Sequence, residues 1–115
     1  MSLYTSRLTE GFSVAPQLQP EDMAIAKSMG FKTIICNRPD GESGPGQPTF
    51  EEMKKAAEAQ GLAIHYFPVI SGMLTRQDVE QYGKLLKTMD EPVLAYCRSG
   101  ARSAQLWQIA QSLMD

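Results

Sequence analysis

The sequence has few cysteines, no long apolar run and no excess of basic charge, and each shortage excludes a class of protein. Its two cysteines, Cys36 and Cys97, are too few for a disulfide scaffold and are expected to be free thiols in a reducing compartment. No stretch approaches the roughly 18–20 consecutive apolar residues of a membrane-spanning helix, so no membrane partner is expected. Residues 1–10 lack the basic-then-apolar order of a signal peptide, which predicts a cytoplasmic location.

The charge balance and the length of the chain exclude further classes of protein. The chain has 11 Lys and Arg residues against 13 Asp and Glu residues and no basic run, so no nucleic-acid partner is expected. Its 115 residues suffice for one hydrophobic core and one cleft, which predicts a single domain over residues 1–115. The last predicted helix stops at Asp115 without a capping glycine, so a fragment of a longer protein and a chain that works alone are both open at this point.

Apolar segments alternate with helical patterns along the chain, and this alternation predicts an α/β fold. Strands are expected at residues 31–36, 62–69 and 93–97, and residues 12–18 are expected to form either a short first strand or an extended lead-in. Helices are expected at residues 20–30, 49–61, 75–88 and from 101 to the C-terminus. Pro16 restricts the first strand to a sheet edge, and residues 37–48 form a loop rich in glycine and proline. The order predicts three layers, a mainly parallel sheet flanked by helices, with ligands at the carboxyl ends of the strands.

The helix termini and buried faces can also be predicted. Thr49 with Glu52, and Thr75 with Asp78, have the spacing of capping boxes. The residues expected to be buried in the first and last helices are Met23, Ala26, Ile25 or Met29, Ala104, Leu106 or Trp107, Ile109 and Leu113.

The run YCRSGARS, residues 96–103, lies between the last predicted strand and the last helix. The first turn of a helix leaves about four backbone N–H groups without partners, so the amides of residues 98–102 can point at one anion. Gly100 permits a positive φ and a close approach of the backbone to the bound group. The guanidinium of Arg102 can grip an oxyanion at two points. This turn is therefore predicted to bind an anion.

The same donors favour a negatively charged sulfur at Cys97, helped by a hydroxyl hydrogen bond from Ser99 or Ser103. We expect the pKa of Cys97 to lie below its usual value of about 8.5, which makes the residue a candidate nucleophile. The alternative, a small buried core residue, is disfavoured because the following run is polar and starts a helix. The candidate catalytic residues are Cys97 and Arg102, and the candidate substrate-binding residues are Arg98, Ser99, Gly100, Ala101 and Ser103.

Other polar residues near the same edge are less informative. Cys36 also ends a predicted strand, but no comparable run of donors follows it, so core packing is favoured over a redox role. His65 lies inside a strand and is expected to be half-buried rather than a general base. Arg38, Asp40 and Ser71 are candidates to line the cleft, and a solvated turn is the alternative for Arg38 and Asp40.

The loop at Cys97 resembles the active-site loop of cysteine phosphatases and rhodaneses. More narrowly, nearly the whole chain resembles the phosphatase-like domain of the beta-lactamase hydrolase-like protein family. The stretches that carry this resemblance are VAPQL at 14–18, CNRPDGE at 36–42, PGQP at 45–48, LAYCRSG at 94–100, and Arg102 with Ser103. The resemblance implies a fold similar to that of dual-specificity phosphatases, with the loop at Cys97 binding the oxyanion and Arg102 clamping it.

Three departures from the dual-specificity phosphatase pattern favour a different reaction. Four residues separate Cys97 from Arg102, where those phosphatases have five, and the shorter loop is similar to that of many single-domain rhodaneses. Tyr96 stands where the phosphatases carry a histidine. The segment 67–72 has no aspartate to act as general acid, a loss of roughly 10²–10⁴ in rate for a phosphatase. Asp78, the next carboxylate, is assigned to a helix cap.

Sulfur transfer avoids the need for a general acid, because sulfite leaves thiosulfate without a proton. We therefore interpret the chain as a rhodanese-like sulfurtransferase on a phosphatase-type scaffold, in which Cys97 becomes a persulfide and a small thiol accepts the sulfur. The alternatives are a cysteine-dependent phosphatase that passes through a phosphocysteine and a non-catalytic anion-binding or persulfide-carrier module.

The partners follow from this interpretation. The small anionic substrate is thiosulfate, a persulfide or a phosphate ester, and no metal or organic cofactor is expected. The resemblance implies in addition a sulfide-oxidising or persulfide-oxidising partner domain.

Overall fold

The computed structural model describes residues 3–114, in which strands and helices alternate as the sequence predicts. The strands are β1 (Ser6–Thr9), β2 (Phe12–Ala15), β3 (Thr33–Cys36), β4 (Ala63–Tyr66) and β5 (Val93–Tyr96). The helices are α1 (Asp22–Ser28), α2 (Phe50–Ala59), α3 (Arg76–Leu86) and α4 (Ala101–Met114). A short 3-10 helix at Gly44–Gly46 lies within the loop after β3. None of the helices between residues 3 and 114 is both long and apolar enough to cross a membrane.

The strands form one mixed sheet in the order β1-β2-β5-β3-β4. β2, β5, β3 and β4 run parallel to one another, and β1 is antiparallel to β2. In the central pair, Cys36 at the end of β3 is opposite Tyr96 at the end of β5. The residues that follow these two strands therefore leave the sheet side by side, at the edge where parallel sheets bind ligands.

Helices cover both faces of the sheet, so the predicted three-layer α/β fold is confirmed. Successive residues of a strand point to opposite faces, and the neighbours Ile34 and Ile35 accordingly enter different clusters. One cluster joins α1 and α2 to the sheet through Met23, Ala26, Met53, Ala57, Ile34 and Leu94. The other joins α3 and α4 to the opposite face through Val79, Tyr82, Leu106, Ala110, Ile35 and Ala95.

The predicted position of the first strand is wrong. β2 ends at Ala15, immediately before Pro16, and it lies inside the sheet because β1 pairs with its outer side. The strand β1 has the sequence SRLT, in which Leu8 is the single apolar residue, and the other three side chains are exposed. A strand at the edge that buries so little surface has no apolar alternation, so the sequence pattern did not reveal it.

The helix ends follow local chemistry. Both capping boxes are present: the Thr49 hydroxyl accepts from the Glu52 amide at 3.2 Å, and the Thr75 hydroxyl accepts from the Asp78 amide at 3.1 Å. α1 begins at Asp22 rather than at residue 20, and the Asp22 carboxylate accepts a hydrogen bond from the backbone amide three residues earlier.

The buried faces of the helices agree only in part with expectation. Met23 and Ala26 are buried in α1, whereas Met29 is 38% exposed. In α4 the prediction for Leu113 is wrong, since this residue is 42% exposed. A helix of 14 residues is about 21 Å long, whereas a strand of four residues spans about 13 Å, so the last turns of α4 extend past the sheet.

Candidate active site

Cys97 follows β5 directly and has no exposed surface. Its backbone amide donates to the carbonyl of Ala15 at the end of β2, and its sulfur accepts a hydrogen bond from the Gly100 amide at 3.1 Å. Gly100 has a φ of +95°, and a Cβ placed on it would lie 3.4 Å from the carbonyl carbon and oxygen of Ala15. The turn therefore requires glycine for its backbone conformation, whereas a Cβ would reach only contact distance from β2.

The surroundings of the Cys97 sulfur favour its ionised form. Burial by itself raises the pKa of the thiol, but hydrogen bonds to the sulfur outweigh burial, and the pKa is lowered from its ordinary value. These hydrogen bonds come from the backbone amide and the hydroxyl of Ser103, then from the amides of Gly100 and Arg102. Donors in the first turn of α4 thus favour a negative charge on this sulfur.

The two serines of the loop have different roles. Ser99 is exposed, and its hydroxyl accepts a hydrogen bond from the amide of Ala101 at 3.3 Å. Ser103 is fully buried, and its hydroxyl donates to the side-chain oxygen of Asn37 at 2.8 Å. Of the two hydroxyl groups that the sequence offered to the sulfur, the structure brings that of Ser103 to the site.

Asn37 is a site residue that sequence reasoning missed. It is fully buried, and its side-chain amide donates to the carbonyl of Phe67 at 2.9 Å. Its backbone amide donates to the carbonyl of Tyr96, which places it beside Cys97. The one available signal was its position directly after β3, at the same edge of the sheet.

Arg102 is held by three hydrogen bonds. Its two terminal nitrogens donate to the two carboxylate oxygens of Glu42 at 2.7 Å each, and one of them also donates to the carbonyl of Val69 at 2.8 Å. The side chain of Arg102 is 14% exposed, so these contacts fix the guanidinium beside the Cys97 turn. Glu42 was not predicted as a site residue, because it lies 60 positions away in the sequence.

Glu42 also binds Arg38, so one carboxylate joins two guanidinium groups. Nε of Arg38 donates to Glu42 at 2.9 Å, and its terminal nitrogens donate to the side chains of Gln17 and Ser43. The hydrogen bonds from Arg102, then those from Arg38 and the two positive charges, outweigh burial and lower the pKa of Glu42 to about 2. Glu42 is therefore ionised near neutral pH and has no proton to donate.

The structure places the remaining candidates at more peripheral positions. Arg38 is 5% exposed, and it acts on the site through its hydrogen bond to the Glu42 carboxylate. Asp40 accepts a hydrogen bond from the amide of Phe50 at the start of α2. Arg98, Ala101 and Ser71 are exposed, and no contact in the described part of the chain gives the side chain of Ser71 a role at the site.

The second cysteine has the character of a core residue. Cys36 is 3% exposed and packs in the cluster on the α1 and α2 face, and its thiol donates to the carbonyl of Arg38 at 3.3 Å. Burial, the largest influence, raises its pKa. Cys36 and Cys97 therefore differ in the direction of their pKa shifts, and Cys97 is the better candidate nucleophile.

The loop after β4 contacts the site through its backbone. Residues 67–70, Met73, Leu74 and Asp78 line a pocket of about 140 Å³. The carboxylate of Asp78 accepts a hydrogen bond from the Thr75 amide in the capping box, so it caps the N-terminus of α3.

Within residues 3–114, no group of three or more histidine, cysteine, aspartate or glutamate side chains is arranged to hold a metal ion.

These features agree with a comparison to known families. The model of the family "Beta-lactamase hydrolase-like protein, phosphatase-like domain" matches residues 5–114. The chain belongs to this family. The resemblance recognised in the sequence is thus confirmed.

The phosphatase-like family includes parts of much longer proteins. The beta-lactamase hydrolase-like protein of Agrobacterium fabrum C58 is 34% identical over 107 residues, which cover 93% of this chain and 25% of that protein. The chain therefore spans about a quarter of the length of the curated relatives it matches.

Solved structures agree with the fold. A protein of Neisseria meningitidis Z2491, described as a candidate phosphatase, is 40% identical with a TM-score of 0.81, covering 88% of this chain and 71% of that one. The core catalytic domain of a PP-IP phosphatase from S. cerevisiae has a TM-score of 0.66 at 12% identity, covering 87% of this chain and 59% of that one. The second likeness concerns the fold alone.

Proposed function

We propose that this phosphatase-like domain is a cysteine-dependent phosphatase that forms a phosphocysteine at Cys97. The observation that carries the proposal is the Cys97 turn, in which backbone donors, a buried hydroxyl and a fixed guanidinium surround one sulfur. The family description and the Neisseria neighbour support phosphoryl transfer over sulfur transfer, the reaction favoured by the loop spacing.

The proposed reaction uses the loop in two roles. The Cys97 thiolate attacks the phosphorus of a phosphate monoester, the new S–P bond forms as the P–O bond of the leaving group breaks, and the released oxygen takes a proton from water. Arg102 and the amides at the start of α4 hold the non-bridging oxygens, on which charge accumulates. Water then attacks the phosphocysteine, releasing inorganic phosphate and the thiolate.

Sulfur transfer through a Cys97 persulfide is the second candidate, and a specific observation favours it. Two carboxylates that could serve as the general acid are both engaged, since Glu42 is ionised between two arginines and Asp78 caps α3. A leaving group that needs no proton suits such a site, and sulfite from thiosulfate is one. A carrier that binds sulfur or an anion without turnover is a third outcome.

Two assays on the same protein separate these functions. The first measures phosphate release from p-nitrophenyl phosphate, and the second measures thiosulfate-dependent addition of one sulfur atom to Cys97 by mass spectrometry. Each is repeated with Cys97→Ser and with Cys36→Ser as the matched control, since both cysteines end strands but only Cys97 has lowered pKa.

The phosphatase proposal predicts multiple turnovers of the aryl phosphate that Cys97→Ser abolishes and Cys36→Ser retains. If sulfur is added to Cys97 and passed to a small thiol, and no phosphate is released, the phosphatase proposal is wrong and the protein is a sulfurtransferase. Stoichiometric loading without turnover in either assay would identify a carrier. Arg102→Lys should impair either enzyme, because a point charge does not reproduce a two-point grip.

A further inference from the structure

Arg38 is a buried arginine whose hydrogen bonds connect to both ends of the turn from Cys97 to Arg102. Burying a guanidinium is costly unless its charge is paired and its donors are satisfied, so the partners of Arg38 matter. We propose that Arg38 is a positioning residue that fixes the two ends of this turn relative to each other, and that the affinity of the turn for an oxyanion depends on it. The inference rests on this turn being the anion site of the proposed phosphatase.

The first connection leads to the end of the turn at Arg102. Nε of Arg38 donates to one carboxylate oxygen of Glu42 at 2.9 Å, and the same oxygen accepts from a terminal nitrogen of Arg102 at 2.7 Å. Without Arg38, this carboxylate would be held by Arg102 alone and could move together with the guanidinium that it orients. Arg38 therefore fixes the group that sets the plane of the Arg102 guanidinium.

The second connection leads to the start of the turn at Arg98. A terminal nitrogen of Arg38 donates to the side-chain oxygen of Gln17 at 3.0 Å. The side-chain nitrogen of Gln17 donates to the carbonyl of Leu18 at 2.7 Å, so its oxygen is the atom that faces Arg38. The backbone amide of Gln17 donates to the carbonyl of Arg98 at 3.2 Å, and Arg98 directly follows the nucleophile. Arg38 thus also holds the segment that contacts the first residue after Cys97.

A third donor of Arg38 holds the loop that carries Glu42. Its other terminal nitrogen donates to the hydroxyl of Ser43, whose backbone amide donates to the side chain of Gln47 at 3.0 Å. The side chain of Gln47 donates to the carbonyl of Pro39 at 2.9 Å, which closes the loop on itself. Three nitrogens of one guanidinium therefore bind three side chains from two segments, an arrangement that the single ammonium of a lysine does not reproduce.

The first test makes the same substitution in two arginine–glutamate pairs. Arg38→Lys keeps the positive charge but loses the fork of donors. Arg76→Lys is the matched control, because Nε of Arg76 also donates to a glutamate four positions later, Glu80, at 3.1 Å, but on an exposed surface. Iodoacetamide labels Cys97 of each protein at pH 7 with increasing inorganic phosphate, and mass spectrometry gives the phosphate concentration that halves the labelling rate.

We expect Arg38→Lys to raise this half-protecting concentration about 10-fold and Arg76→Lys to leave it unchanged. A role in stability alone would lower the urea midpoint of Arg38→Lys without changing the half-protecting concentration, because that concentration compares labelling rates within one protein. Equal half-protecting concentrations in the native protein and Arg38→Lys therefore overturn the proposal, whatever the change in urea unfolding.

The second test is a double-mutant cycle on the connection through Gln17. Gln17→Met removes the acceptor for Arg38 but keeps the backbone amide, and it should raise the half-protecting concentration about 3-fold. In the Arg38→Lys background it should have no further effect, because the connection is already lost. Gln108→Met, at an exposed position of α4, is the control and should change nothing. An equal rise in both backgrounds, or none in the native background, contradicts the proposal. If Arg38→Lys does not fold, the comparison of Gln17→Met with Gln108→Met decides.

Protection by phosphate requires no turnover. A protein that releases no phosphate from p-nitrophenyl phosphate can still show the difference between Arg38→Lys and Arg76→Lys, and an active phosphatase can lack it. If neither phosphate nor sulfate protects Cys97 in the native protein, the turn binds no oxyanion and the inference is wrong. The failure of this inference and the failure of the proposed function are therefore distinguishable.

Discussion

Glu42 accepts hydrogen bonds from both terminal nitrogens of Arg102, each at 2.7 Å, across 60 positions of sequence. A two-point contact between a carboxylate and a guanidinium fixes the plane of the guanidinium as well as its position. Since Arg102 also donates to the carbonyl of Val69, its orientation is determined before any substrate arrives. Glu42 therefore has a positioning role for the residue that is expected to clamp the oxyanion.

Replacing Glu42 with glutamine should lower kcat/KM for an aryl phosphate by about 10- to 100-fold. Gln retains one acceptor and the volume of the side chain but loses the charge and the two-point contact, and small displacements of a clamp have effects of this size. Steady-state kinetics of the purified variant measure the effect. Glu80→Gln is the matched control, because Glu80 also pairs with an arginine, on the exposed surface of α3. Equal activity of the native protein and Glu42→Gln would refute the positioning role.

The ion pair between Glu42 and Arg102 also predicts how the free energy of unfolding depends on pH. The folded protein lowers the pKa of Glu42 to about 2 from an ordinary value of 4.5, so folding favours the ionised carboxylate. The resulting stabilisation is complete above about pH 5 and is lost as the pH falls from 4.5 towards 2. Urea unfolding at pH 6 and pH 3 should show a larger difference between the native protein and Glu42→Gln at pH 6. A difference that stays constant between these pH values would exclude this linkage.

Gly100→Ala should impair both stability and activity, whereas Gly30→Ala should impair stability alone. The two glycines have φ values of +95° and +97°, so an alanine pays a similar backbone cost of about 1–2 kcal/mol at each. A Cβ at Gly30 meets no atom within 4 Å, whereas one at Gly100 lies against Ala15 in the turn that contacts the Cys97 sulfur. Urea unfolding and phosphate release measure the two effects. Full activity of Gly100→Ala would show that the positive φ at Gly100 is dispensable for the site.

The two cysteines should differ in their reaction with iodoacetamide at pH 7. Cys97, whose pKa is lowered, should be labelled in the native protein, and inorganic phosphate should slow its labelling. Both sulfurs are buried, so local opening of the fold limits access to both, but Cys36, whose pKa is raised by burial, should react more slowly than Cys97. Mass spectrometry of the two peptides distinguishes the sites. Labelling of Cys36 at the same rate as Cys97 would contradict the assigned difference in ionisation.

Several elements of the fold were predictable because their signals are local. The capping boxes at Thr49 and Thr75 depend on a partner three residues away, and both form as expected. β1 was missed because an exposed edge strand carries no apolar alternation, and its pairing with β2 depends on a neighbour rather than on its own sequence. The same distinction explains Leu113, whose exposure depends on the length of the sheet beneath α4.

The sequence by itself determined the α/β alternation and the turn at Cys97, because the strand, the cysteine, the glycine and the start of α4 are contiguous from β5 to Arg102. Only the tertiary structure decided which groups hold that turn in place. Asn37 and Glu42 lie in the loop after β3, and the pairing of β3 with β5 brings them to Ser103 and Arg102. Contacts between segments this far apart arise from sheet pairing and packing, which no local pattern of residues encodes.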